Sequence, residues 1–183
     1  MAIIKIMINI LLIGYPFIIF FSLHHGHLNL AILGLFIIFI LRLLTLPAMN
    51  SQLYWFSKIM PFVGLFLASV SWLLSEYQLL LYYPVMVNSI LLTIFAYSLK
   101  HTPTIIERFA RIKHHNLSTA QIHYTRNVTI FWCYFFVFNG SISLFTCLID
   151  DLQWWTLYNG AISYCLIGLC MGGEWLLRQK YRN

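Results

Sequence analysis

Charge is the scarcest property of this sequence. Of its 183 residues only 9% are charged, and five are acidic, against about 25% charged residues in soluble domains. A water-soluble fold of this size could not hide a chain that is 61% hydrophobic, so its natural solvent is a lipid bilayer. Familiar catalytic signatures are missing as well. There is no Walker A loop, no GxSxG elbow and no HExxH pair. The few carboxylates show no spacing suited to a metal-dependent transferase, and none lies at mid-membrane depth, where proton-coupled transport would need one. Cys133, Cys147, Cys165 and Cys170 all fall in apolar stretches and form no CxxC. They read as small core residues, neither zinc ligands nor a redox pair. The first 22 residues begin like a secretion signal, with Lys5 before an apolar run, but no small-x-small cleavage site follows FFSLHHGH. That segment is expected to remain as a first membrane helix.

Long apolar runs are abundant. Crossing the hydrocarbon core takes about 20 mostly apolar residues, and six segments qualify: 3–22, 28–47, 57–75, 78–98, 128–149 and 152–176. The expected fold is all-α, a single transmembrane domain over 1–183 built as a bundle of six helices. Lys5 precedes the first span, Arg42 and Lys58 flank the second connection, and Lys100, Arg108, Arg111, Lys113 and Arg126 lie in the fourth. Arg178, Lys180 and Arg182 follow the last span. The connections near 23–27, 76–77 and 150–151 hold Glu76, Asp150 and Asp151 but no Lys or Arg. The positive-inside rule then puts both ends and the fourth connection in the cytoplasm. The net charge of +6 is explained by this topology and does not call for nucleic acid. Tyr54 and Trp55 fall at an expected inner boundary, and Trp72, Tyr82, Tyr83, Trp154 and Trp155 near outer ones, as headgroup anchors do.

The one sizeable polar stretch is 100–126, KHTPTIIERFARIKHHNLSTAQIHYTR. Pro103 can begin a helix. Ile105, Phe109 and Ile112 recur at helical spacing, with Arg108, Arg111 and His115 on another face. A short amphipathic cytoplasmic helix on the membrane surface fits this pattern. Its cations would attract anionic headgroups or dock an acidic partner. Ser118 and Gln121 have capping-box spacing for a second short helix.

Polar residues inside membranes are the default places to look for function. FNGSIS at 138–143 and YNGAIS at 158–163 are near-copies twenty residues apart. Asn139 lies about 11 residues below the outer turn at Asp150-Asp151, roughly 17 Å at 1.5 Å per residue. Asn159 lies about 8 residues below it, roughly 12 Å, and Asn88 about 10 below Gln78, roughly 15 Å. Asn88, Asn139 and Asn159 could therefore share one layer, either lining a cavity or packing helices. Gly140 and Gly160 would let two antiparallel helices approach each other. Pro84, just above Asn88, should kink its span and free the Leu80 carbonyl. Glu174 is four residues from Arg178, the spacing of a helical ion pair; Arg42 is an alternative partner, and a carboxylate serving a cytoplasm-facing cavity is the functional alternative. His24, His25 and His27 form a loop-borne cluster without an obvious fourth ligand, and His114-His115 is weaker still. No metal site and no cofactor are expected.

Residues 78–182 resemble a family of bacterial inner-membrane proteins whose genes commonly accompany aryl polyene, flexirubin and xanthomonadin-type pigment synthesis; some members carry a misleading DNA gyrase label. The resemblance rests on YYPVMVNSILL at 82–92, PTIIERFAR at 103–111, YTRNVTIFWCYFFVFNGSIS at 124–143 and WTLYNGAISYCLIGLCMGGEWLLRQK at 155–180. It implies a multi-pass protein of the cytoplasmic membrane, working beside pathways that build acyl chains on carrier proteins and export a lipid-linked product. The implied role is a non-enzymatic scaffold or lipid-handling accessory, with membrane lipids and acidic carrier proteins or synthases as partners. A transferase subunit using Arg108, Arg111 and Glu174 on a lipid-linked substrate, and a small transporter or flippase, are the alternatives. The family carries no established catalytic residues to transfer.

Overall fold

A computed structural model describes residues 2–46, 51–113 and 116–180. His114, His115 and Arg182 lie outside the described residues, as do the side chains of Lys5, Tyr54, Trp55, Lys113 and Lys180. Among the described residues the regular elements are all helices, without strands. In order, the helices are α1 (Ala2–Ile13), α2 (Tyr15–His24), α3 (Leu28–Leu44), α4 (Ser51–Leu74), α5 (Gln78–Leu81), α6 (Tyr83–Lys100), α7 (Ile105–Lys113), α8 (Thr119–Leu148), α9 (Leu152–Leu157) and α10 (Ser163–Lys180). A π-helical turn, Tyr158–Ile162, joins α9 to α10. Among the described residues, three segments are long and apolar enough to cross a membrane: Gln78–Lys100, Thr119–Leu148 and Leu152–Gln179, of 23, 30 and 28 residues. Shorter apolar helices run over Tyr15–His24, Asn29–Leu44 and Lys58–Leu74.

Local chemistry explains where the helices break. The run expected as one helix over 3–22 divides at Gly14, which has a non-helical ψ near 1°. Pro16 follows in the first turn of α2, where its missing N–H does no harm; inside a continuous helix its ring would clash with the Leu12 carbonyl. The same logic corrects the reading of Pro84. It does not kink a continuous span, because the chain already turns at Tyr82 and Pro84 occupies the first turn of α6. At the other end of the polar stretch, the capping box is present and reciprocal. Ser118 N–H donates to Gln121 Oε1 at 3.0 Å, and Gln121 N–H donates to Ser118 Oγ at 3.3 Å. It opens no separate short helix, however. It opens α8 itself, whose 30 residues begin at Thr119 rather than near 128. Helix α7 begins at Ile105 instead of at Pro103, after a cis Thr102-Pro103 bond.

The contacts gather into two compact units interleaved along the chain: residues 1–84 with 143–162, and 85–142 with 163–183. In the first, α3 packs on α4 and α2, and α2 packs on α9. Ile19, Ala31, Leu35, Phe39, Ala68 and Leu80 form the core. Tyr15 is its aromatic pivot, edge-on to Tyr83 at 5.1 Å and to Trp155 at 6.3 Å, spacings at which rings attract. The space left among Tyr15, Phe39, Leu67 and Tyr83 is about 10 Å³, at the lower limit for one water. In the second unit Phe136 meets Phe95 at 5.1 Å and Trp132 at 5.8 Å. Thr125, Val128 and Thr129 are buried along α8.

Candidate functional site

Two of the expected asparagines meet within the second unit. Asn139 on α8 donates its side-chain amide to Asn88 Oδ1 on α6 at 3.0 Å. Both are buried. A Cβ at Gly140 would stand 3.0 Å from Asn88 Cβ, so glycine is what lets α6 come close enough for the amides to bond.

Asn159 forms a second clamp, in the first unit. Its Oδ1 accepts from Ser143 Oγ at 2.8 Å. Its Nδ2 donates to Thr146 Oγ1 at 3.2 Å and to the Trp155 carbonyl at 3.0 Å. Trp155 O is the acceptor that the Asn159 backbone N–H would take in a regular α turn, and the side chain's claim on it coincides with the π turn at 158–162. Gly160 faces α2 instead of the expected antiparallel helix: its Cβ would stand 3.1 Å from the Phe17 ring and 3.4 Å from Pro16 Cβ. The twin hexapeptides thus seat different partners. Gly140 admits Asn88, whereas Gly160 admits α2.

The break at Tyr82 leaves the Leu81 carbonyl to be satisfied by side chains. Trp155 Nε1 donates to it at 2.9 Å and Cys147 Sγ at 3.2 Å. This corrects two expectations. Trp155 is no headgroup anchor, being 0% exposed, while Trp72 and Trp154 are exposed. The cysteines are not uniformly core residues either: Cys147 is buried, Cys165 exposed, and Cys133 and Cys170 lie between.

The basic segment has its own internal bonding. Glu107 is buried, and Arg111 holds it with Nε at 2.9 Å and Nη2 at 2.6 Å from one carboxylate oxygen. Arg108 Nε donates to the Pro103 carbonyl at 2.9 Å. Ile105 N–H donates to Ser98 Oγ at 3.1 Å, and Arg126 Nη1 to the Leu99 carbonyl at 3.0 Å. Phe109 and Ile112, by contrast, are exposed. Glu174 lies 3.8 Å from Arg178 Nε, and Tyr124 Oη is within 3.4 Å of its Oε1 and 3.2 Å of its backbone carbonyl. Of the three histidines near the first turn, His25 Nδ1 sits 2.8 Å from the Phe21 carbonyl and His24 stacks on Phe20.

The structure thus pairs Asn88 with Asn139, gives Asn159 its own partners, and engages Arg108, Arg111 and Glu174 in intrachain bonds. Sequence reasoning missed Thr146, Glu107, Tyr124 and the role of Trp155. Only Glu107 carried a local signal, its i,i+4 spacing to Arg111. Among the described residues, Thr104 Oγ1 is the one buried side-chain polar atom without a hydrogen-bond partner.

In comparison with known proteins, the chain matches no family model, no curated protein sequence and no solved structure.

Proposed function

We propose that this chain is a six-span protein of the bacterial cytoplasmic membrane, with both ends and segment 100–126 in the cytoplasm. We further propose that it serves aryl polyene-type lipid or pigment biosynthesis as a non-enzymatic scaffold or lipid-handling accessory. The observation that carries the non-enzymatic reading is the bonding of the buried amides. Asn139 binds Asn88, and Asn159 binds Ser143, Thr146 and Trp155. Amides bonded in this way hold helices together, as polar groups in membrane bundles do. The charge distribution supports the topology, and the motifs at 82–92, 103–111, 124–143 and 155–180 support the pathway.

The working surface in this reading is α7 with its flanking cations. Exposed Phe109 and Ile112 sit beside Arg108, Arg111 and Lys100. Such a helix suits an anionic headgroup layer or the acidic surface of a carrier protein.

The test is a deletion strain examined by lipid mass spectrometry. Loss or truncation of the pigment lipid is expected. An unchanged pigment lipid sinks the pathway assignment. Product lacking its headgroup points instead to a transferase subunit, and complete product trapped inside the cell points to export.

A further inference from the structure

A cavity of about 320 Å³ opens at the end of the first unit, where the turns at 25–27, 75–77 and 149–151 come together. It is lined by Leu23, Gly26, Tyr77, Leu81, Asp150 and Leu152. Its size lies at the small end of ligand sites, about 300–1,000 Å³. Three leucines make the wall apolar. The Leu81 carbonyl offers a guest nothing, because Trp155 Nε1 and Cys147 Sγ already donate to it. Whatever lies against that wall must be hydrocarbon.

The rim has the opposite chemistry. Gly26, Tyr77 and Asp150 are exposed. Asp150 Oδ1 accepts from Gln78 Nε2 at 3.2 Å, and among the described residues no hydrogen bond is made to Oδ2. The neighbouring Asp151 is committed elsewhere, its Oδ1 capping α9 through the N–H groups of Gln153 and Trp154. The three turns carry Glu76, Asp150 and Asp151 and no Lys or Arg, so their field repels anions and attracts cations. Among the described residues no three His, Cys, Asp or Glu side chains converge to hold a metal ion.

We infer that this cavity binds a cationic amphiphile, with an ammonium head at Asp150 and a short hydrocarbon tail against Leu23, Leu81 and Leu152. The shared chemistry is a primary ammonium carried by an amphiphile with a hydrocarbon tail, which either a free alkylamine or an ethanolamine lipid could supply.

The test titrates the full-length chain, purified in a non-ionic maltoside, with octylammonium and with octanol, which has the same tail and no charge. Octylammonium binds saturably and octanol does not compete. Asp150→Asn weakens octylammonium binding at least about tenfold, the scale of one lost charge-assisted hydrogen bond. Asn tolerates the left-handed backbone that Asp150 adopts at φ 56° and still accepts from Gln78, so this variant keeps the turn. Leu152→Trp fills the cavity and abolishes binding with helix content unchanged. Dihexanoyl phosphatidylethanolamine that competes in the parent chain and more weakly in Asp150→Asn assigns the head to a lipid. Octylammonium binding without such competition assigns it to a free amine; both outcomes support the site. Equal binding of octanol, or undiminished octylammonium binding in either variant, overturns it.

Discussion

Asn139 on α8 donates its side-chain amide to the side-chain carbonyl oxygen of Asn88 on α6, 51 residues earlier, across 3.0 Å with both residues buried. A double-mutant cycle with Asn88→Ala and Asn139→Ala should give a coupling of about 0.6–2 kcal/mol. Each single change strands its partner's amide, so the double variant should lose less than the sum of the two. Unfolding in mixed micelles measures this; strict additivity would show that the contact contributes nothing.

The two glycines should respond to different rescues. Gly140→Ala presses on Asn88 Cβ, 3.0 Å away, and Gly160→Ala on the Phe17 ring, 3.1 Å away. Each should cost about 1–3 kcal/mol, the usual range for overpacking. Adding Phe17→Leu should restore the melting temperature of Gly160→Ala and leave that of Gly140→Ala unchanged.

Trp155→Phe keeps most of the ring and deletes only the donor to the Leu81 carbonyl. A loss of about 1–2 kcal/mol is expected. Combining it with Cys147→Ala removes both side-chain donors to that carbonyl, and the pair should be worse than either change. Near-ultraviolet circular dichroism through a thermal melt follows the effect; a wild-type melt for the double variant would refute this role.

Thr104 and Ser98 should part company. Thr104 Oγ1 is buried without a partner, so Thr104→Val should leave the melting temperature unchanged or raised, unlike an ordinary helix N-cap replacement. Ser98→Ala should lower it by the equivalent of about 1–2 kcal/mol, because Ile105 N–H loses its acceptor. Equal losses in both would mean that the Thr104 hydroxyl is satisfied after all.

Charge reversal on α7 mixes structure with surface. Arg111→Glu sets a carboxylate opposite the buried Glu107. It should cost about 1–3 kcal/mol, less than a fully buried pair, because the Arg111 side chain is 40% exposed. Phe109→Ser with Ile112→Ser alters only exposed side chains. Amide exchange across 105–113 in nanodiscs should be slower with anionic than with zwitterionic lipid, and this double variant should erase the difference. Identical exchange of the parent chain in both lipids would remove the surface-helix reading.

Much of the helical plan is legible in the sequence. Apolar length marked the runs 78–98, 128–149 and 152–176, which fall on the helical segments 78–100, 119–148 and 152–179, and hydrophobic spacing marked α7, because both are properties of neighbouring residues. What stayed hidden depends on partners far along the chain. Depth along a helix axis grouped Asn88, Asn139 and Asn159, but depth says nothing of azimuth, and azimuth decides that Asn159 bonds Ser143 and Thr146. Trp155 looked like an anchor because it sits beside exposed Trp154; only the carbonyl orphaned at Leu81, 74 residues away, explains its burial. Pro84 was misplaced because a break two residues earlier had no marker in the sequence.

Helix α8 begins well before its apolar stretch, with Ser118 and Gln121 bonded to each other at its tip. The first four N–H groups of any helix lack intrahelical acceptors, and here they belong to residues 118–121, in a polar stretch, since Ile122 N–H already donates to the Ser118 carbonyl at 3.0 Å. The costly first turn therefore lies outside the apolar stretch. For a helix long and apolar enough to cross a bilayer, residues 128–148 then only lengthen what has already started, and no bare amide need enter hydrocarbon.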